Sequence, residues 1–158
     1  MTTSATNTLD PAPAAPDAEF FSLTAQLLAQ GRVDTNLAKT DLLRLRLKVY
    51  ASGGENAMHV HPYEDHSFII LQGQATFHIN TDENIKVLNQ YEGVMLPRGV
   101  GYWFQSSAPE NLVMIRVGAA EKWPEDGRLG PDGRPLPGNS LENKQVEVIP
   151  LEGKFFGR

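Results

Sequence analysis

The chain has 158 residues, 41% hydrophobic and 21% charged, with a formal net charge of -5, which is material for one domain around one core and excludes a large modular enzyme. The acidic balance excludes a general nucleic-acid binder, because phosphate neutralisation needs a surplus of Lys and Arg on one face. The absence of cysteine excludes disulfides, thiolate metal sites and a cysteine nucleophile, so any metal must be held by His, carboxylate or Tyr oxygen.

The 14 Gly and 11 Pro point to many turns and an all-β architecture. Residues 1–16 are mostly Thr, Ala, Asn, Ser and Pro and read as a disordered N-terminal arm without chemistry. No Lys or Arg occurs from Met1 to Gly31, so a basic leader is missing. No apolar run reaches the roughly 18 residues that span a bilayer. A cytoplasmic location and no membrane partner are therefore expected. Phe20, Phe21, Leu23, Leu27 and Leu28 then recur at helical spacing, and Gly31 stands where a left-handed C-cap would sit, so one short N-terminal helix is predicted. It would be a lid or dimer contact, or a cap on the open end of a β core.

From Leu43 the period changes to two. Leu43, Leu45, Leu47 and Val49 alternate with Arg44, Arg46, Lys48 and Tyr50, the pattern of a strand with one buried and one wet face. The three cations could grip an anionic ligand, but a solvated strand face is the commoner explanation for such a pattern. Further strands are predicted over 67–72, 75–80, 85–88, 93–96, 102–106 and 112–117, separated by turn-forming stretches. Short strands at such regular intervals build a sandwich or barrel, here over 17–120 together with the helix. The segment 121–158 opens with eight Gly or Pro residues between Glu121 and Ser140 and reads as an irregular excursion. It recovers order at Val146 and Val148 as an edge strand, and the terminal Phe155 and Phe156 should dock on the barrel or on a second subunit.

Three of the four histidines fall within eight positions, at His59, His61 and His66. On a strand, His59 and His61 point to the same face, rooted ~7 Å apart, and can reach one point. After a turn at 62–65, His66 opens the return strand and can present a third nitrogen. Neutral imidazoles suit a transition metal and not Ca or Mg, which take oxygen ligands. Glu64 and Asp65 lie in the turn, where solvent exposure or hydrogen bonding to a His nitrogen is the expected role. His78, alone on its strand, reads as structural or exposed.

At these residues the chain resembles a cupin. That family's first motif reads G-x5-H-x-H-x3,4-E-x6-G, and Gly53, His59, His61 and Gly73 stand in register, with His66 in the glutamate position. The second motif, G-x5-P-x-G-x2-H-x3-N, is matched by Pro97 and Gly99. Its opening glycine position is Tyr91, with Gly93 two residues late, its histidine position is Tyr102, and its asparagine position is Ser106. The resemblance covers about 54 residues. It implies a double-stranded β-helix, or jelly-roll barrel, often paired as a homodimer, with one metal ion inside the barrel.

Carried over, His59 and His61 occupy ligand positions, His66 replaces a carboxylate ligand, and Tyr102 replaces the last histidine. The expected cofactor is one divalent transition metal ion (Fe, Mn, Ni, Co or Zn), with His59, His61, His66 and Tyr102 as candidate ligands. Tyr102 is alternatively a catalytic acid or base. Two functions follow. One is a metal-dependent enzyme acting on a small organic molecule, of dioxygenase or lyase/isomerase type. The other is a non-catalytic small-molecule-binding or sensory barrel, with or without metal.

Overall fold

A computed structural model of the protein describes residues 17–51, 55–123, 127–138, 143 and 146–158. The expected arm, Gly53 of the first motif and part of the Gly/Pro-rich excursion lie outside the described residues. Among the described residues the architecture is eleven strands: β1 (Ala25–Gln30), β2 (Arg32–Lys39), β3 (Leu43–Tyr50), β4 (His59–Val60), β5 (Asp65–Gln72), β6 (Ala75–Ile79), β7 (Ile85–Leu88), β8 (Gly93–Leu96), β9 (Gly101–Ser106), β10 (Leu112–Ala119) and β11 (Ile149–Phe156). They form a five-stranded sheet in the order β2-β3-β10-β5-β8, a four-stranded sheet β4-β9-β6-β7, and a two-stranded ribbon β1-β11. No helix of the described residues is long and apolar enough to cross a membrane.

The two larger sheets face one another. Tyr50, Phe68, Ile70, Leu96 and Met114 from the five-stranded sheet meet Ala75, Phe77, Tyr102 and Phe104 from the other in one buried cluster. The alternation read from the sequence holds here. Phe77 pairs with Phe104 and points in, while the next pair, His78 with Trp103, points out. His78 stacks on Trp103 with ring centroids 3.9 Å apart and donates from Nδ1 to the Asp82 carbonyl at 2.7 Å, the structural role expected of it.

The predicted N-terminal helix is not formed. Residues 25–30 are strand β1, antiparallel to β11, with Ala25 opposite Phe156. The physical reason is a second hydrophobic layer. Leu28, Leu47, Val49 and Val113 form a buried cluster on the outer face of the five-stranded sheet, with Phe156 packed against it. A lone helix of this length is marginal without packing, whereas the ribbon satisfies its backbone through β11 and covers the apolar face. Asn111 completes the pairing at Leu28, accepting from its N–H at 2.6 Å and donating to its carbonyl at 2.8 Å. Gly31 does adopt a left-handed φ of 85°, but in the tight turn from β1 to β2. The terminal strand starts at Ile149, and Val146 and Val148 precede it exposed.

This layer also overturns the reading of β3. Its Leu47 and Val49 are covered by the ribbon, so the alternate residues turn inward. The antiparallel register places Arg46 beside Arg116, and Arg116 beside Phe68, on the interior face. Lys48 is 8% exposed and Tyr50 2%. The cationic face is not a fully solvated one, because β3 is buried on both faces over residues 47–50, with Arg44 and Arg46 half-buried.

Candidate functional site

Four elements converge on one end of the barrel interior. β4 presents His59, which pairs across the ladder with Tyr102 of β9. His61 follows in the turn, and His66 enters from β5 opposite Gly118 of β10. The four residues expected at the site are thus brought together. Ring centroids are 5.1 Å apart for His59 and His61, 4.2 Å for His61 and His66, 4.5 Å for His59 and Tyr102, and 5.9 Å for His66 and Tyr102.

Among the described residues, the group whose donor atoms all lie within 4.8 Å of one another is His61, Glu64 and His66. Glu64, expected from the sequence to be solvent-exposed or to bond a His nitrogen, lies against His66 and was not among the candidate ligands. Its neighbour Asp65 does turn outward, accepting from the Arg98 backbone N–H at 2.7 Å and from its guanidinium at 3.0 Å. Glu64 turns inward, with its Oε1 2.9 Å from His66 Nε2 and its Oε2 3.5 Å from His61 Nδ1. Gly118 makes the room, since a Cβ there would lie 2.2 Å from Glu64 Oε1. A glutamate three residues after the second histidine, slightly short of the motif spacing, was the available signal.

Hydrogen bonding fixes the tautomer of His59. A carbonyl only accepts, so His59 Nδ1–H donates to the Ala57 carbonyl at 2.8 Å and leaves the Nε2 lone pair free of that proton. Arg116 only donates, and its Nη2 contacts both His66 Nε2 and Glu64 Oε1. His66 Nε2 thus lies between a guanidinium that donates and a carboxylate that accepts, and its Nδ1 lies 2.7 Å from the Tyr102 hydroxyl oxygen. His61 Nδ1 is buried without a hydrogen-bond partner.

All three histidines are held neutral. Burial, reinforced by Arg128, pushes His59 down to about 3. Burial and then the neighbouring His66 and His59 push His61 down to about 2. Burial and then Arg116 push His66 down to about 2. Burial also raises the Tyr102 phenol above its ordinary value, which disfavours a phenolate.

The donor chemistry fits a transition ion. It combines neutral imidazoles, one carboxylate and a buried imidazole nitrogen lacking a partner. The one competing feature is the Arg116 guanidinium, which shares the same nitrogen and oxygen. Beside the group opens a cavity of about 410 Å³ lined by His59, His61, Glu64 and Tyr102 and by the inward cations of β3.

Residues 33–121 match the family model described as Cupin. No curated protein matches the sequence. Among solved structures, the chain is similar to the cupin domain of Schizosaccharomyces pombe Cnp3, with 19% identity, a TM-score of 0.53, and coverage of 56% of this chain and 64% of that one. The match thus spans less than two thirds of that domain. An RmlC-like cupin family protein with a double-stranded β-helix fold from Methanocaldococcus jannaschii is similar at 19% identity and a TM-score of 0.54, covering 68% of this chain and 94% of that one. KdgF from Halomonas sp. is similar at 16% identity and a TM-score of 0.52, covering 57% and 81%. At these identities the likeness to solved structures shows the fold. With more than half of its length inside the family model and its strands wound as in those barrels, the chain belongs to the cupin family.

Proposed function

We propose that the protein is a metal-dependent enzyme that holds one divalent transition ion (Fe, Mn, Ni, Co or Zn) at His61, Glu64 and His66 and acts on a small organic molecule in the adjoining cavity. The carrying observation is the donor group itself, with its ligand atoms within 4.8 Å of one another. Two histidines and one carboxylate with open positions are the donor set of non-haem iron oxygenases, so dioxygenase chemistry stands first and metal-assisted lyase or isomerase chemistry beside it. A bound ion would supply a Lewis acid with free coordination positions. The remaining work belongs to the chain. The Tyr102 hydroxyl lies 2.7 Å from His66 Nδ1 and would accept its proton when Nε2 holds an ion, so we assign it to positioning His66. His59 faces the same cavity with a free Nε2 lone pair and is placed to serve as a further ligand. The same reading includes a homodimer in the cytoplasm. Exposed Ile69 and Met95, on the outer face of β5 and β8, support a contact between copies.

A second reading, a metal-free small-molecule-binding barrel, is favoured by Arg116, whose guanidinium contacts the His66 Nε2 and the Glu64 oxygen that an ion would need. Metal content decides between them, measured by mass spectrometry on untagged protein purified without chelator, beside His66→Ala. Near-stoichiometric metal in the parent and little in a folded variant is the expected result. No metal after soaking, or full occupancy in the variant, would overturn the ligand assignment.

A further inference from the structure

The cavity beside the histidines is built from an unusual share of the chain's positive charge. Among the described residues its lining carries Arg32, Arg44, Arg46, Lys48, Arg116 and Arg128, against two carboxylates, Asp34 and Glu64. The excess is four positive charges in a protein whose formal net charge is -5. Charges of one sign in a recess with low-dielectric walls focus the field and concentrate ligands of opposite sign, which the same charges on an open surface do far less.

The placement of these cations is specific. Strand alternation puts Arg44, Arg46 and Lys48 on the inward face, and the register sets them beside Gly118, Arg116 and Met114 of β10. One carboxylate serves two of them, since Asp34 lies 2.8 Å from Arg46 Nε and 2.6 Å from Lys48 Nζ. Arg44 sits over Trp123, its guanidinium carbon 3.8 Å from the ring centroid, a contact that holds it at the cavity. Arg128 donates from Nη2 to Asn143 at 3.1 Å, and its Nε is buried without a hydrogen-bond partner. The volume of about 410 Å³ lies within the range of small-molecule sites, about 300–1,000 Å³.

We infer that this cavity selects a small organic anion, with its carboxylate or phosphate group seated on Arg44, Arg46 and Lys48 of β3 and its remainder directed toward the histidine cluster. The inference deepens the proposed function and rests on its claim that the cavity receives a small molecule, but it does not require the ion. Guanidinium pairs with carboxylate and phosphate through parallel N–H donors, and a ligand of this class supplies acceptors that Asp34 alone cannot.

The test is calorimetric titration of the full chain, stripped of metal with a chelator and dialysed, with succinate and with inorganic phosphate as probes and neutral succinamide as control. Saturable binding of either anion and none of succinamide is expected. Succinate alone marks a carboxylate ligand, phosphate alone a phosphate ester, and both together the shared oxyanion chemistry. Arg46→Gln and Arg44→Gln should each weaken binding about tenfold or more. Arg44→Gln leaves the Asp34 ion pairs intact and so covers the case in which the first variant fails to fold. Asp34→Asn, which removes a competing carboxylate, should tighten binding about threefold, an effect opposite to that of simple structural damage. Absence of saturable binding by both anions up to about 10 mM, or unchanged affinity in a folded Arg44→Gln, overturns the inference. Metal content is read on the same preparation before stripping. Anion binding without metal retains this inference and removes the ion, and metal without anion binding does the reverse.

Discussion

Acidification should unfold the metal-stripped protein well before its carboxylates titrate, because His59, His61 and His66 are buried neutral in one cluster. Burial is the leading cause in each case, and the folded values lie near 3, 2 and 2, against about 6.5 in an unfolded chain. The folded values are the lower ones. Stability is therefore complete above about pH 6.5 and is lost as the pH falls toward the folded values, because the unfolded chain takes up protons that the folded one refuses. Each such proton is worth about 1.4 kcal/mol per pH unit, so three give a slope of about 4 kcal/mol per unit. Integrated from about pH 7.5 to about pH 5, the loss is about 2 kcal/mol per histidine and about 6 kcal/mol in all. That is comparable to the whole stability of an ordinary domain, about 5–15 kcal/mol. The figure is insensitive to the folded values as long as they stay below about pH 4. Asp34 adds its own loss only lower. Desolvation alone would raise its carboxyl, but Lys48, Arg46 and Arg116 outweigh it and hold the group below its ordinary range. The assay is urea unfolding followed by tryptophan fluorescence in the presence of chelator. His59→Gln should reduce the slope by about one proton in three. A stability at about pH 5 within about 1 kcal/mol of that at about pH 7.5 would refute the reasoning.

Three substitutions test other parts of the structure. Asn111→Ala strips both bonds from the buried Leu28 backbone and should cost about 2–4 kcal/mol, read as a lower urea midpoint; a midpoint shift equivalent to under about 0.5 kcal/mol would mean that water replaces the side chain. Gly118→Ala places a methyl 2.2 Å from Glu64 Oε1 and should drive that carboxylate out of the donor group, weakening metal binding about tenfold or more in chelator competition while circular dichroism is kept. Tyr102→Phe removes the partner of His66 Nδ1. It should lower stability by about 1–3 kcal/mol and metal affinity about 10- to 100-fold, and unchanged affinity would remove Tyr102 from the positioning of His66.

Much of the barrel was legible because period-two alternation is a local property. The strands at 85–88 and 93–96 fall where turn residues bracket them, and the pair Phe77 and Phe104 lies inward as its pattern requires. The meeting of His59 and His61 was legible from their spacing, although His61 lies just past the end of β4 and not on the strand as expected. Which of Glu64 and Asp65 turns inward was not. Both sit in one turn, and which of two adjacent carboxylates enters the barrel depends on the space left by Gly118 and on Arg98 holding the other outside.

The sequence by itself determined that β3 has two chemically distinct faces, and it could not say which one looks into the barrel. A leucine face and a cationic face satisfy alternation equally well in either orientation. The choice was made by residues far along the chain. Strand β11 pairs with β1, the ribbon supplies Leu28 and Phe156 to cover Leu47 and Val49, and the removal of that apolar surface from water turns Arg44, Arg46 and Lys48 inward. The same long-range pairing made residues 25–30 a strand where helical spacing had suggested a helix. Local pattern set the elements, and burial of one face by a distant segment decided that the other would form the wall of the site.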